Sequence, residues 1–352
     1  MAIAPMTSMQ RVLTTLSHQE PDRVPFFLSL TISGARELGI SIKEYFSNPH
    51  NVVEGQLRMR EKFGHDCLMS FMYSAAEIEA WGGSVTFRDD GPPSADGPLV
   101  EHPEQILGLH IPRIEDSPSL RKVLDTIGLL KTSTRDDVPI VAGVVSPFSL
   151  PIVQLGFEHY IEILYQRPEL FEHLMRLNEE FCVAWANAQF DAGATALGYA
   201  NPVSSPTIIP PELYHRIGLP VDKHTIARIK GGLAMNLASA RVLPVLDDLT
   251  QTGVVGIVAS VTEDLAEMKA RCHGKLTVMG NLNGIEMRHW NTMQTEVAVK
   301  EAISKAGPGG GFILSDNHGE IPWQVSDEVL MTVSESVHRW GQYPLTWIDS
   351  AE

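Results

Sequence analysis

The chain has 352 residues, with 43 acidic against 27 basic side chains and a formal net charge of −16. That balance excludes a nucleic-acid binder built on a basic footprint, and a 43% hydrophobic content excludes a disordered chain. The length allows either two ordinary domains or one large barrel. Three cysteines, Cys67, Cys182 and Cys272, lie at wide spacings that offer neither a disulfide framework nor a CxxC metal knuckle. The first residues lack the basic-then-apolar build of a signal peptide, and no segment reaches the roughly 18 uninterrupted apolar residues of a membrane span. A soluble protein in a reducing, cytoplasmic setting is expected.

In chain order, short apolar or β-branched runs alternate with longer segments of helical spacing. The runs are VPFFLSL (24–30), CLMSFM (67–72), PIVAGVV (139–145), ATALGYA (194–200), GLAMNLA (232–238), VVGIVAS (254–260), KLTVMGN (275–281) and GFILSD (311–316). Between the later runs, PELYHRIGLPVDKHTIARIK, RVLPVLDDLTQTG, TEDLAEMKARCHG, TEVAVKEAISKAG and SDEVLMTVSESVHRWGQY read as helices. Several of them open at Ser, Thr or a Pro pair and stop at Gly. The segment from Pro151 to Gly193 predicts two helices broken near Arg167-Pro168, because proline removes a donor and clashes with the preceding turn. Turn formers in VTFRDDGPPSADGPLVEHPE predict a hairpin excursion near 84–105. No linker-like composition divides the chain, so residues 1–352 are expected to form one α/β domain, a single (β/α)8 TIM-type barrel.

Barrels of this kind build their site at the C-terminal ends of the strands. The runs close on Ser29, Met72 with Tyr73, Ser146-Pro147, Tyr199-Ala200-Asn201-Pro202, Asn236, Ser260, Asn281 with Asn283, and Asp316-Asn317-His318-Gly319. This ring is polar, mostly uncharged, and holds one carboxylate and one histidine. Glu77 and Glu79 open the helix expected after the second run, and their i, i+2 spacing allows at most one of them to face the mouth. The functional reading is a small-molecule pocket worked by His318, Asp316 and a glutamate. The bland alternative is that the asparagines are only turn or cap residues.

Two kinds of motif fail. GPGGG (307–311) follows a helix and precedes a strand, the reverse of the order that aims a helix N-terminus at phosphate. No HExxH, GxSxG or GxxxxGKS occurs.

The segments HQEPDRVPF (18–26), EIEAWGG (77–83), GYANPVSSPTIIPPELYHRIGLP (198–220), VMGNLN (278–283) and FILSDNHGEIPWQVSDEVL (312–330) resemble, in order, the uroporphyrinogen decarboxylase superfamily. The resemblance implies a (β/α)8 barrel and two branches of activity. One branch decarboxylates a polycarboxylate tetrapyrrole, and the other exchanges methyl groups with a cobalamin carried by a separate corrinoid protein. The decarboxylase pattern has an arginine-rich RQAGR-type segment after the first strand and an aspartate after the second. Here those places hold SLTISGARELG, with Arg36 alone, and Tyr73. Few arginines and a charge of −16 suit a polycarboxylate poorly. EIEAWGG, PDRVPF and YANP are closer to the methyltransferase branch.

In the zinc-dependent, thiol-methylating members of that branch, a His-x-Cys after the fifth strand and a later Cys bind the metal. The aligned positions here are Asn236, Ala238 and His318, so His318 alone is left to hold a metal and the resemblance leaves zinc open. The implied reaction is the reverse transfer, O-demethylation of a small methylated substrate, with an aryl methyl ether as a candidate donor. On that expectation His318, Asp316 and Glu77 are catalytic, and Tyr73, Glu79, Tyr199, Asn201, Asn236 and Asn281 bind substrate. The alternatives are a divergent decarboxylase of a small acid and a non-catalytic ligand-binding barrel. Trp340, Tyr343 and Trp347 would cover the barrel bottom or an interface of a homo-oligomer.

Overall fold

A computed structural model of the protein describes residues 5–70 and 73–348, so Met72 at the end of the second run lies outside the described residues. The strands are β1 (Leu68–Met69), β2 (Val85–Thr86), β3 (Ser94–Ala95), β4 (Ile140–Val145), β5 (Ala196–Ala200), β6 (Gly232–Asn236), β7 (Gly256–Val258), β8 (Thr277–Leu282) and β9 (Phe312–Asp316). Seven of them form one parallel sheet in the order β1-β4-β5-β6-β7-β8-β9. β2 and β3 pair antiparallel as a separate hairpin over the stretch rich in turn formers.

The first apolar run closes the ring in a form that the alternation of runs did not anticipate. It is no regular strand but an extended segment bonded on both sides: Phe27 N donates to Leu314 O at 2.8 Å, Leu314 N to Pro25 O at 3.0 Å, and Asp66 N to Phe26 O at 2.9 Å. Pro25 has no N–H for a ladder, and the Phe26 N–H is taken by the Asp66 carboxylate at 3.0 Å. With this segment between β9 and β1, the curled sheet and its surrounding helices make the (β/α)8 barrel.

The helices also depart in detail from their sequence patterns. Pro151–Gly193 holds three helices, not two: Pro151–Leu155, Phe157–Gln166 and Pro168–Ala192. The extra break falls at Gly156, whose φ of 78° only glycine adopts easily. The stretch after Pro210 begins as a short helix, widens to a π turn at Tyr214–Gly218 and resumes at Leu219–Ile226. Pro220 sits just inside the resumed helix and cannot donate to the preceding turn, a cause that suffices for the widened turn. GPGGG packs at the lower rim, where a Cβ on Gly310 (φ 68°) would collide with the Gln19 backbone. Close approach between two backbones accounts for its glycines. Among the described residues no helix is long and apolar enough to cross a membrane.

Along β5 and β6 alternate residues face opposite ways. Leu197, Tyr199, Leu233 and Met235 pack into the large core shared with the helices. The residues between them, Ala196, Gly198, Gly232 and Ala234, face the barrel axis. On the other side of the axis stand the bulky Phe27, Met69, Val141 and Ile313, packed with Val12 from the N-terminal helix Ser8–Leu16.

That helix is fastened to the barrel by a buried ion cluster. Asp66, fully buried, accepts from Arg11 Nη1 at 2.7 Å, Arg23 Nη1 at 2.6 Å and Ser8 Oγ at 2.9 Å. Arg11 also holds Asp22 through Nε at 2.6 Å and Nη2 at 2.7 Å. Burial is the largest single influence and works against the charge on Asp22, yet the Arg11 hydrogen bonds and charge together with the Met6 and Arg23 amides outweigh it and hold its carboxyl below the usual range. This contribution is present above the ordinary carboxylate range and is lost as pH falls through the lowered value. Asp66→Asn leaves two buried guanidiniums short of charge and is expected to cost about 3–5 kcal/mol in urea unfolding. A loss below about 1 kcal/mol would show that the cluster is not what anchors the helix.

Candidate functional site

A pocket of about 240 Å³ opens at the C-terminal ends of the strands and runs outward over the end of β4 to the helices that carry Val123 and Trp185. Its chemistry-bearing lining is Tyr73, Glu77, Trp185, Asn236 and His318. Among the described residues no arginine or lysine lines it.

Glu77 arrives on the helix Ala75–Ala80 that follows β1. The two-residue spacing separates the glutamates: Glu77 is buried and lines the pocket, whereas Glu79 is exposed on the other side of the helix. Glu77 Oε1 accepts from the Val145 amide at 3.0 Å, while Oε2 makes no hydrogen bond of ordinary geometry and the Trp185 side chain lies close to the carboxyl. Burial pushes the Glu77 carboxyl up to about 8, against the smaller opposing pull of the Val145 amide and the Trp185 side chain. At neutral pH the group therefore carries a proton. Since Oε1 is already an acceptor, that proton belongs on Oε2.

His318 stands in the loop after β9, half-buried, with Nδ1 unbonded. Burial lowers its basicity and the nearby Asp316 charge opposes that effect in part. The ring is thus neutral near pH 7. Asp316 holds the loop: its Oδ2 accepts from the His318 amide at 2.8 Å and the Gly319 amide at 2.7 Å. It does not line this pocket but the neighbouring cavity on the barrel axis, so the carboxylate expected to act with His318 serves to place it. Asn236 ends β6. Its Oδ1 accepts from Ala238 N at 2.8 Å, which orients the amide so that Nδ2 abuts Gly319, where an added Cβ would come within 2.9 Å. Only glycine allows His318 and Asn236 to sit this close.

Other expected ligand contacts are committed elsewhere. Asn201 is fully buried, with Oδ1 accepting from Ser146 and Ser149 hydroxyls at 2.7 and 2.9 Å and Nδ2 donating to Asp222 at 2.7 Å. Tyr199 points outward and donates to Asp222 at 2.9 Å. Asn281 donates to Ser260 O at 3.1 Å and lines a separate outer pocket. Tyr199, Asn201, Asn281 and Glu79 are thus not gathered at the pocket, because strand alternation or an existing bond turns each away. Tyr73 does line it, its ring 5.0 Å from that of Phe46, and burial first, then the Glu79 charge, raises its hydroxyl.

Three residues escaped the sequence reading. Trp185 comes from mid-helix, where no strand-end signal marks it. Glu320 follows the NHG turn two residues after His318. It accepts from the Thr31 hydroxyl, and burial, followed by the Asp316 charge, raises its carboxyl well above the ordinary value. Asp222 gathers Tyr199, Tyr214 and Asn201, and burial lifts it to about 7 against those three hydrogen bonds.

The residues do not fit the zinc site of thiol-methylating relatives. Of the aligned positions, Asn236 and Ala238 offer no soft donor, and only His318 could bind a metal. Among the described residues no three His, Cys, Asp or Glu side chains come together as a metal-holding group. All three cysteines are buried, with their thiols raised chiefly by burial.

The fold and the pocket define a (β/α)8 barrel of the kind that carries its chemistry on the loops after the strands. The pattern of the uroporphyrinogen decarboxylase (URO-D) family matches residues 7–340, and the chain belongs to that family of enzymes. A uroporphyrinogen decarboxylase from Xanthomonas oryzae pv. oryzae is 25% identical over 370 residues, covering 95% of this chain and 99% of that protein. The Methylcobamide:CoM methyltransferase MtaA from Methanosarcina barkeri is 23% identical over 285 residues, covering 79% and 83%. Among solved structures, a methyltransferase from Methanosarcina mazei shares the fold with a TM-score of 0.84 at 19% identity, covering 95% of this chain and 99% of that one.

Glu77 links site to stability. Its folded value of about 8 lies above the ordinary ~4.3 of a free glutamate. Its contribution is therefore fully present below the ordinary range and declines as pH rises toward 8. Glu77→Gln should flatten that decline, gaining a few kcal/mol over wild type at about pH 9 in urea unfolding and nothing at about pH 4.

Proposed function

We propose that the protein is a methyltransferase that moves a methyl group from a small methylated substrate, with an aryl methyl ether as the leading candidate, to the cobalamin of a partner corrinoid protein. The observation that carries this reading is the buried Glu77 carboxyl, bonded through Oε1 to the Val145 amide, in a pocket that no cation of the described residues lines; burial keeps that carboxyl neutral at pH 7. Likeness to MtaA and to the M. mazei methyltransferase supports it. The partner corrinoid is a co-substrate whose reduced cobalt supplies the electron pair for the new bond to carbon. This chain's task is at the other end of the methyl group. As the carbon–oxygen bond breaks, its electron pair stays on oxygen, and the developing alkoxide or phenoxide takes the proton from Glu77 Oε2. Asn236, whose Oδ1 accepts from the Ala238 amide, keeps Nδ2 available to orient the donor oxygen. His318, neutral and with Nδ1 free, is placed to accept a hydrogen bond from the demethylated product. Water exclusion falls to Trp185, Val123 and Tyr73.

Decarboxylation of a smaller acid is the second reading, favoured by the decarboxylase relatives. A carboxylate substrate calls for a cation, and among the described residues none lines the pocket.

The test mixes the protein with cob(I)alamin and a panel of O-, N- and S-methyl donors and follows methylcobalamin by its absorbance. Turnover with an ether should have a kcat/KM that falls as pH rises past about 8. Glu77→Gln should lower it by about 10²–10⁴-fold. Release of CO2 from a small acid, with no methylcobalamin from any donor, would assign the family's other activity.

A further inference from the structure

The interior of a (β/α)8 barrel is ordinarily filled by layers of bulky branched side chains. Here only one side is filled so. Phe27, Met69, Val141 and Ile313 supply volume from the closing segment, β1, β4 and β9, while β5, β6 and the start of β7 offer Ala196, Gly198, Gly232, Ala234 and Gly256 along the axis, with Val258 and Met279 adding to the lining on β7 and β8. The result is a cavity of about 140 Å³ on the barrel axis. The N-terminal helix lies across its lower end with Val12 and Leu16, and its upper end reaches Asp316 and Gly319. Apart from Ser29, Thr195, Asn236, Ser315 and Asp316, every lining residue is apolar or glycine. The cavity adjoins the reaction pocket, since Gly198, Asn236 and Gly319 line both.

A close-packed interior does not leave such a space without consequence, because each missing contact costs packing energy. Apolar cavities of roughly 150 Å³ stay dry and take up benzene or xenon. Water is a poor occupant here, as the few polar groups sit at the ends. The space matches one aromatic ring or a short alkyl group.

We infer that the axial cavity is a specificity subsite that holds the apolar group of the donor, with its methoxy oxygen at the Asn236–Gly319 boundary between the two cavities. This deepens the proposed function and rests on it for the identity of the donor. The small residues of β5, β6 and Gly256 then select for ring-bearing donors over compact polar ones such as a methylated ammonium, because the polar lining, Asp316 among it, stands at the ends and the middle of the cavity is apolar.

The test is binding, measured without corrinoid or turnover, so a failure of methyl transfer leaves its outcome intact. Methoxybenzene and benzene are titrated into the full chain by ligand-observed NMR and calorimetry, with glycine betaine as the polar comparison. The expected result is one site where benzene competes with methoxybenzene, with affinity falling at least about tenfold in both Ala234→Leu and Ala196→Leu. Met279→Ala, which enlarges the same cavity, should admit naphthalene, a gain that a misfolded variant cannot mimic. Absence of aromatic binding to wild type would overturn the inference. So would affinity unchanged in both filled variants, or betaine binding more tightly than methoxybenzene.

Discussion

Asp66 is the residue through which the barrel is closed. Three parts of the chain meet at its carboxylate: the N-terminal helix through Ser8 and Arg11, the segment before the closing run through Arg23, and the closing run itself through the Phe26 amide. Its own amide donates to Phe26 O, so one residue bonds the closing segment with both main chain and side chain. Without a full strand between β9 and β1, few ladder bonds hold the ring shut there. A charged cluster substitutes for them, at the cost of desolvating four ionic side chains. The same cluster sets the helix whose Val12 and Leu16 lie across the foot of the axis.

Closure on one side and hollowness on the other are two aspects of one arrangement. Bulky residues crowd the closing segment, β1, β4 and β9, and leave the axis open along β5, β6 and the start of β7. Above that opening stand Asn236, His318 and Glu77. The site accepts instability as part of its chemistry. A carboxyl buried beside Trp185 would sooner be neutral than charged, and this neutrality supplies an acid at a pH where free glutamate has none to give. Asp316 has the supporting part: two amide bonds to its Oδ2 hold the turn that aims His318.

The fold was legible because strand and helix periods differ, and seven of the eight runs became parallel strands in order. The first run failed as a strand because Pro25 and the Asp66 carboxylate remove the ladder donors, a contact forty residues apart in sequence that no local pattern contains. At the site, Tyr73, Glu77, Asn236 and His318 were reachable from strand ends and helix spacing, and the structure brings them to one pocket. Tyr199 and Asn201 were reached by the same logic and lie elsewhere. Asp222, twenty-one residues beyond Asn201, claims both side chains from a helix whose π turn sequence periodicity did not indicate. Trp185 gave no sign at all, since an aromatic at helical spacing reads as core.

The sequence by itself determined what depends on periodicity and residue type. These are the alternation of strand and helix, the ring of neutral polar residues at strand ends, the absence of a cysteine where thiol-methylating relatives place one, and the family. Tertiary structure decided everything that depends on which groups are left over once neighbours have bonded. Asn201 is consumed and Asn236 is available; Glu79 is exposed, and Glu77 is buried and protonated; the axis is hollow on one side only. The physical reason is the same in each case. Hydrogen-bond availability, burial and cavity volume belong to sets of residues distant in sequence, and they acquire values only when the barrel has closed around them.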